Sequence, residues 1–221
     1  MVSTKATALA AWARSEGLTM ARFDYSGHGQ SSGRFEDGTI GAWLAEAEAF
    51  VRHVLRGPVV LIGSSMGGWL ALLLMRVLGK AQRGTSVAVR GAVLIAPAWD
   101  MTETLMWARF PRETRDEILN NGVWYRPSAY GDGPYAITRN LIEEGRRHLV
   151  GDAGIRVECP LRILHGMQDP DVPWRHSLDL VERLDGGDVQ LTLLKDAEHR
   201  LTRPQDLALL IRTIFTLVGE A

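Results

Sequence analysis

Apolar residues occur along the chain in two alternating patterns, short continuous runs and longer stretches at helical spacing. The run at 58–62 is short and rich in β-branched residues, which is typical of a strand buried on both faces. Residues 40–55 repeat apolar side chains at helical spacing, and 69–78 form a nearly all-apolar stretch long enough for a buried helix. By the same criteria, strands are predicted at 18–23, 92–96, 161–164 and 189–194, and helices at 4–16, 177–184 and 206–218.

The order of these elements predicts the fold class. Strands that alternate with helices form right-handed βαβ units, so we expect an α/β fold with a mostly parallel sheet flanked by helices. Residues 99–149 interrupt the alternation, because they are richer in Trp, Tyr, Arg and Pro and contain no strand-like run. We therefore expect one core, formed by 1–98 and 150–221, and a helical cap inserted over the sheet edge at 99–149.

Composition and charge narrow the classes of partner. The 25 basic and 26 acidic residues give a net charge of −1 and are evenly spread, so no nucleic acid is an expected partner. No apolar run reaches the roughly 18 residues of a membrane span, so no stable membrane insertion is expected. Cys159 is the only cysteine, which excludes an internal disulfide and favours an intracellular protein. We expect a cytoplasmic location, or the mitochondrial matrix for a eukaryotic protein whose transit peptide is absent.

The strongest chemical signal is the stretch Gly63-Ser64-Ser65-Met66-Gly67, a G-x-S-x-G motif between a predicted strand and a predicted helix. A strand that turns sharply into a helix strains its central residue and presents that side chain above the sheet edge. Small residues two before and two after it let the chain segments approach closely. Ser65 is therefore the predicted nucleophile, while Ser64 stands one position too early. The start of the helix adds free N–H groups where an oxyanion would form.

A serine nucleophile needs a base, and in this arrangement a histidine in a loop after a later strand supplies it. His199 follows the predicted strand at 189–194 and precedes the last helix, so it is the predicted base. His165 ends a strand, where packing or a local hydrogen bond is the simpler role. His28 precedes Ser65 and breaks the expected order. The remaining histidines, which fit less well, are His53, His148 and His176.

A carboxylate normally orients the base, and Asp169 stands just after the strand at 161–164. Asp171 is the rival, two residues further on, and Asp169 is preferred because the loop has to turn back toward His199 soon after the strand. Asp100 is a more distant candidate whose position suggests that it opens the insertion. The chain has no cysteine cluster and no histidine pair at helical spacing with an acid, so we expect no metal and no cofactor.

The chain resembles the α/β-hydrolase superfamily, and within it the abhydrolase-domain serine hydrolases of the mitochondrial palmitoyl-protein thioesterase and acyl-glucuronide esterase type with their bacterial relatives. The resemblance covers nearly the whole chain, and the inserted segment carries its more specific motifs. It implies an α/β-hydrolase fold, deacylation of esters or thioesters, and a triad on Ser65, Asp169 and His199. The motifs that carry the resemblance are RFDYSGHGQSS from Arg22, GSSMGGW from Gly63, IAPA from Ile95, LMW from Leu105, IEEGRRH from Ile142, HGMQDPDVPW from His165 and DAEHRL from Asp196.

The N-terminal part departs from the family pattern. In the family, further strands precede the position of Thr4, and the third of them ends in a loop that supplies one oxyanion N–H. That third strand lies between those corresponding to 18–23 and 58–62. We therefore expect an N-terminally truncated core in which the backbone N–H of Met66 is the surviving oxyanion donor. Activity would then be weak or absent, since losing one donor typically costs about 10²- to 10³-fold in rate.

Three functional readings follow from these residues. The first is a serine hydrolase that cleaves carboxylic esters or thioesters, with a small molecule or an S-acylated protein as substrate. The second is a peptide or carbon–carbon bond hydrolase on the same fold, and the third a non-catalytic or truncated hydrolase-like protein. The sequence leaves the oligomeric state open. Aromatic residues of the insertion that either line an acyl pocket or pack the insertion are Trp107, Phe110, Trp124, Tyr125, Tyr130 and Tyr135.

Overall fold

The computed structural model describes residues 3–80, 87–127 and 133–219, so Tyr130 lies outside the described residues. The helices are α1 (Thr4–Ser15), α2 (Ile40–Val54), α3 (Met66–Lys80), α4 (Arg112–Asn121), α5 (Arg139–Gly145), α6 (Arg175–Arg183) and α7 (Pro204–Val218). The strands are β1 (Gly57–Ser64), β2 (Val87–Ile95), β3 (Val123–Arg126), β4 (Tyr135–Thr138), β5 (Ile155–Arg156), β6 (Leu161–Gly166), β7 (Leu184–Asp185) and β8 (Val189–Leu194).

The central sheet contains four parallel strands in the order β1-β2-β6-β8. Ser64 pairs with Ile95, Ile95 with Leu164 and Leu164 with Thr192, so the carboxyl ends of the strands lie along one edge. The α/β class with a parallel sheet is thereby confirmed. Because each strand runs into a loop at the same edge, residues that follow β1, β6 and β8 are brought together there.

The inner strands β2 and β6 are largely buried, whereas β1, predicted to be buried on both faces, is only partly buried and leaves Ile62 38% exposed. Leu94 of β2 points into a core shared with α2 and α3, where Trp43 and Trp69 are almost fully buried. Its neighbours Val93 and Ile95 point into a second core, on the other face. Adjacent strand residues alternate between faces, so a strand in the middle layer has to be apolar at every position. The second core is completed by residues of α1 and α7, namely Leu9, Leu210, Ile214 and Leu217.

The strand predicted at 18–23 is wrong. These residues form no strand; Leu18 is exposed, and Phe23 packs on the first core and stacks on Phe50 with ring centroids 4.6 Å apart. A strand exists only through ladder hydrogen bonds to a neighbour. Among the described residues, no strand pairs with the outer edge of β1, and so this apolar segment runs alongside the core without a ladder to join.

The insertion differs from the predicted all-helical cap, because 99–149 contains a two-stranded antiparallel sheet as well as helices. Strand β3 pairs with β4, with Val123 opposite Thr138 and Arg126 opposite Tyr135. A small apolar cluster is confined to this segment, and the division into a core and a cap at these boundaries remains a prediction. The buried members of the cluster are Met106, Phe110, Ile118, Ile137 and Ile142.

Candidate active site

Ser65 occupies the turn between β1 and α3, and it is one of the non-glycine residues with a positive φ, at 56°. This left-handed conformation strains an L-residue and persists only where the surroundings hold it. Its backbone N–H donates to the carbonyl of Ile95 at 2.8 Å, and its carbonyl accepts from the N–H of Ala98 at 3.1 Å. The β2 strand and the loop after it therefore fix the serine at the sheet edge.

The glycines of the motif serve the turn in a way the sequence only partly predicted. A Cβ on Gly63 would come within 2.2 Å of the carbonyl oxygen of Gly67, so β1 and α3 approach too closely for any side chain there. A Cβ on Gly67 would meet nothing within 4 Å, so the reason predicted for the second glycine is wrong. The second close approach is at Gly68, where an added Cβ would lie 2.9 Å from Cβ of Pro97.

The Ser65 hydroxyl stands next to the start of α3. Met66 is the first residue of this helix, a position where the backbone N–H has no intrahelical acceptor. Within the described part of the chain, the Ser65 hydroxyl has no hydrogen-bonding partner, so the structure does not join it directly to His199. Catalytic hydrogen bonds are often long or misaligned before a substrate binds.

Asp169 and His199 are brought into direct contact, although they lie 30 residues apart. Asp169 follows β6 and His199 follows β8, and Oδ2 of the aspartate is 2.6 Å from Nδ1 of the histidine. A carboxylate only accepts, so Nδ1 carries the proton and Nε2 is left with a free lone pair. The aspartate side chain is fully buried, whereas that of the histidine is 16% exposed. The pair thus presents an oriented base toward solvent.

The other oxygen of the carboxylate is held by the backbone. Oδ1 of Asp169 accepts the N–H groups of Asp171 and Val172, each at 2.8 Å. Burial raises the pKa of Asp169, but hydrogen bonds from His165, His199 and Val172 outweigh it, so the pKa lies well below the usual aspartate range. Asp169 is therefore a carboxylate at neutral pH. Asp171, the rival acid, is two residues beyond and contributes a backbone N–H to this oxygen.

Two loops meet at the pair because a glycine ends β6. A Cβ on Gly166 would lie 2.2 Å from the carbonyl oxygen of Ala197 and 2.8 Å from that of Glu198. The Asp169 loop and the His199 loop therefore touch through their backbones, without a side chain between them. Sequence reasoning missed this role, although a glycine at the end of the strand before the predicted acid was a readable signal.

His165 makes a contact that the sequence did not predict. Its side chain is fully buried, and Nε2 lies 3.2 Å from Oδ2 of Asp169, the same oxygen that meets His199. Packing or a local bond was the role expected for this histidine; its ring nitrogens bond locally to Ser177 and to the carbonyl of Val172, and Nε2 also contacts the predicted acid. Its position four residues before the acid, at the end of the same strand, was the available signal.

The remaining histidines lie in other environments. Nδ1 of His28 is 3.1 Å from the carbonyl of Ser26, and the ring packs edge-on against Phe35 and Trp43. His176 stacks on Trp99 with ring centroids 4.6 Å apart, and burial lowers its pKa to about 4, so its ring is neutral. His53 and His148 lie on α2 and in the short 3₁₀ turn after α5.

The predicted substrate-binding residues lie at different places in the insertion. Trp107 packs on the insertion's own cluster, with the guanidinium of Arg146 5.1 Å from its ring centroid. Trp124 packs edge-on against Phe110 in the same cluster. Tyr135 also reaches beyond the insertion, since its ring centroid lies 6.4 Å from that of Phe35.

Tyr135 lies close to the loop that carries the acid. Burial raises the pKa of its phenol, the nearby Arg126 lowers it, and the carboxylate of Asp171 raises it again. The guanidinium of Arg126 lies 5.9 Å from its ring centroid. The Tyr135 phenol is thus within electrostatic range of Asp171, whereas Trp107 and Trp124 pack within the insertion itself.

One set of described side chains could offer ligands to a cation, namely Asp169, Asp171 and His199, whose ligand atoms lie within 4.8 Å of one another. Both oxygens of Asp169 already accept hydrogen bonds from N–H groups of the protein, and Nδ1 of His199 points at one of them. This donor set fits a hydrogen-bonded acid–base pair better than a metal site. Within the described residues, no helix combines the length and the apolar character that a membrane span needs.

Comparison with known proteins agrees with this architecture. The model of the alpha/beta hydrolase family matches residues 5–209. A relative in Bos taurus, named palmitoyl-protein thioesterase ABHD10, mitochondrial, is 37% identical over 221 residues, which is 100% of this chain and 70% of the relative. That name agrees with the mitochondrial alternative and gives no support to the cytoplasmic expectation.

Two solved structures are similar over most of both chains. A protein of Agrobacterium vitis S4 described as a hydrolase has a TM-score of 0.94 and 46% identity, over 97% of this chain and 82% of the other. Alpha/beta hydrolase domain-containing protein 10 from mouse has a TM-score of 0.87 and 36% identity, over 100% of this chain and 85% of the other. With the parallel sheet, the strained serine and the two loops that meet at the same sheet edge, these matches show that the chain belongs to the alpha/beta hydrolase family.

Proposed function

We propose that this chain is a serine hydrolase that cleaves carboxylic esters or thioesters through an acyl-enzyme on Ser65. One observation carries the proposal: Ser65 is held at a positive φ after β1, on the sheet edge where the Asp169–His199 pair lies. A strained serine in front of a helix, beside a histidine oriented by a carboxylate, is the arrangement that acyl transfer requires.

The mechanism follows from the protonation states. Asp169 holds the proton of His199 on Nδ1, so Nε2 takes the Ser65 proton as the hydroxyl oxygen attacks the acyl carbonyl. The tetrahedral intermediate collapses, His199 returns its proton to the departing thiol or alcohol, and the acyl group stays on Ser65. A water molecule, deprotonated by the same Nε2, then attacks the acyl-enzyme and releases the carboxylic acid.

The oxyanion of each tetrahedral intermediate would be held at the start of α3. The backbone N–H of Met66 is the donor proposed here, since it is free of the helix and follows Ser65 directly. The partial positive charge at the helix N-terminus adds to this stabilisation. A donor fixed in the backbone stabilises negative charge without reorganising during the reaction.

The proposed substrate class is a small acyl ester or an S-acylated protein. The relatives named palmitoyl-protein thioesterase favour a thioester as the bond that is cleaved. Residues 99–149 are proposed as a cap over the core formed by 1–98 and 150–221, and Tyr135 is its best-placed residue for contact with an acyl chain. Trp107 and Trp124 are kept as weaker candidates, because both pack on the insertion's own cluster.

Covalent labelling tests the nucleophile. A fluorophosphonate probe is expected to label wild-type protein at Ser65, as read by peptide mass spectrometry, and the Ser65→Ala variant is expected to lose both labelling and esterase activity. Loss of the nucleophile typically costs about 10⁶-fold in kcat. Ser64→Ala is the matched control, since it removes the neighbouring hydroxyl and should keep both. Labelling of Ser64, or full activity of Ser65→Ala, would refute the assignment.

A substrate panel separates the reaction classes. We expect turnover of p-nitrophenyl esters and acyl-CoA thioesters, and none of aminopeptidase substrates or of substrates with a cleavable carbon–carbon bond. Exclusive turnover of either of the last two classes would replace the proposed function with the corresponding hydrolase on the same triad. A folded wild-type protein that neither turns over a substrate nor reacts with the probe would identify a non-catalytic member of the family.

A further inference from the structure

His165 is a fully buried ionisable side chain that the acyl-transfer steps do not use. It stands near the end of β6, four residues before Asp169. Burying an imidazole with polar atoms on both sides requires that each nitrogen finds a partner. The neighbours of Nδ1 and Nε2 therefore indicate the role of His165.

The neighbours of each ring nitrogen fix the tautomer of His165. Nε2 lies 2.9 Å from the carbonyl oxygen of Val172 and 3.2 Å from Oδ2 of Asp169. A carbonyl and a carboxylate only accept, so Nε2 carries a proton and is shared between them. Nδ1 lies 2.6 Å from Oγ of Ser177, a fully buried hydroxyl on α6. That hydroxyl can donate to Nδ1, so a neutral ring with its proton on Nε2 satisfies every contact.

The Asp169 carboxylate is thereby held on all sides. Oδ1 accepts the backbone N–H groups of Asp171 and Val172, while Oδ2 accepts Nδ1–H of His199 and lies 3.2 Å from Nε2 of His165. An ionised carboxylate offers about four lone-pair sites, and three hydrogen bonds together with the His165 contact face them. The carboxylate therefore cannot rotate about its Cβ–Cγ bond without losing several hydrogen bonds.

We infer that His165 is a positioning residue, which holds Oδ2 of Asp169 in line with His199 and is itself oriented by the Ser177 hydroxyl. The inference rests on the proposed function, because it assigns a role within the same catalytic group. A carboxylate held only by its backbone contacts on Oδ1 could turn Oδ2 away from His199. The imidazole of His199 would then lose the fixed tautomer and orientation that make it a base toward Ser65.

Substitution of His165 tests the inference. His165→Leu removes the donor to Oδ2, and we expect kcat on a p-nitrophenyl ester to fall about 10- to 100-fold with KM nearly unchanged. His165→Gln can place an amide N–H near the position of Nε2, and it should recover most of the lost rate. His176→Leu is the matched control: it removes another buried histidine of the same region, which contacts Trp99 and not the triad.

A readout that needs no turnover separates this inference from the proposed function. The Nδ1–H proton of His199, held against Asp169, gives a low-field proton NMR resonance, and we expect it to shift or broaden in His165→Leu and in Ser177→Ala but not in His176→Leu. The Ser177→Ala variant keeps the test decisive where His165→Leu does not fold. An unchanged resonance and an unchanged kcat in folded variants would overturn the positioning role. An inactive wild type with the expected NMR changes would instead overturn only the proposed function.

Discussion

At the scale of single residues, the site depends on which of two nearby carboxylates orients the base. Asp169 and Asp171 lie in one loop, and the sequence alone ranked them only by distance from the strand end. The contacts distinguish them: the Asp169 carboxylate meets His199 at 2.6 Å, while Asp171 supplies a backbone N–H to it. Because only the carboxylate of Asp169 contacts His199, the same substitution by asparagine can be compared at the two positions.

We expect Asp169→Asn to lower kcat by about 10³- to 10⁴-fold, with the fold retained. An asparagine can still accept the two backbone N–H groups on its oxygen, but its NH₂ then faces the N–H of His199. The imidazole must rotate or change tautomer, and its Nε2 no longer accepts the proton of Ser65. Steady-state kinetics on a p-nitrophenyl ester measures the loss, and circular dichroism checks the fold.

Asp171→Asn is the control for that measurement. It keeps the backbone N–H that binds Asp169, and we expect kcat to stay within about threefold of wild type, as for a substitution outside the catalytic group. Equal losses in the two variants would show that the acid cannot be assigned from this contact. A larger loss in Asp171→Asn would move the orienting role to that residue.

At the scale of elements, the turn from β1 into α3 depends on close contacts at two glycines, and the motif predicted only one of them. Gly63 and Gly68 each face another segment at less than 3 Å from a Cβ, whereas the space beside Gly67 is open. The two glycines of the five-residue motif therefore have unequal steric roles. Only the packing of the strand against the helix and against Pro97 shows which positions tolerate a side chain.

This difference predicts opposite effects of the same substitution. Gly63→Ala would place a methyl group within 2.2 Å of the carbonyl oxygen of Gly67, and backbone cannot move aside as a flexible side chain can. We expect about 2 to 4 kcal/mol of destabilisation, at or above the usual range for overpacking. Gly67→Ala should keep or slightly raise the free energy of unfolding, because alanine favours the helix by up to about 1 kcal/mol. Urea denaturation of both variants measures the contrast, and equal midpoints would contradict it.

Most of the strands of the central sheet and most of the long helices could be predicted from the sequence. Apolar runs located β1, β2 and β6, and the alternation of strands with helices located β8. Only β2 and β6, the inner strands, are largely buried on both faces. Apolar residues at helical spacing located α2, α3 and α7, because a helix that packs on a core has its apolar residues on the face toward that core. The segment 18–23 has strand composition but no neighbour, and composition carries no information about pairing. The hairpin of β3 and β4 was missed because its strands are only four residues long.

For the site, the sequence predicted the candidates but not their contacts. The order of serine, acid and histidine after successive strands follows from parallel topology, and this places Ser65, Asp169 and His199 on one edge. The contact between Nε2 of His165 and Oδ2 of Asp169 depends on the path of the loop after β6. The close contact at Gly166 depends on the path of a second loop. Neither path is readable from residue type, since both loops are set by three-dimensional packing rather than by a local pattern.

At the scale of the whole molecule, one buried side chain ties the two ends of the insertion together. Asp100 lies where the chain leaves β2 for the insertion, with a φ of 52° and 2% exposure. Its carboxylate accepts the N–H of Val150 at 2.7 Å and that of Gly151 at 3.0 Å, where the chain returns to the core. Burial raises the pKa of Asp100, although these two hydrogen bonds act in the opposite direction. The position of Asp100 had suggested that it opens the insertion, and its contacts connect that opening to the closing end.

Removal of this connection should loosen the insertion before the core. In Asp100→Ala the N–H groups of Val150 and Gly151 lose their acceptor, which we expect to cost about 1 to 3 kcal/mol in the free energy of unfolding. Hydrogen exchange should accelerate at these two amides and along α5, more than in β2 or β6. Alanine at a positive φ adds backbone strain of its own, so Asp100→Gly separates the two causes: glycine relieves the strain and still lacks the carboxylate.

The matched control is Asp152→Ala, in the turn just after Gly151, where the side chain is fully exposed and lies 3.6 Å from the guanidinium of Arg183. An exposed ion pair of this kind contributes little, so its loss should leave both exchange and stability close to wild type. If Asp100→Gly has the exchange rates and stability of wild type while Asp100→Ala does not, backbone strain alone explains the effect. The carboxylate then does not connect the two ends of the insertion. If Asp100→Gly and Asp100→Ala accelerate exchange equally, and mainly within 133–151, the two ends of the insertion are coupled through this one side chain.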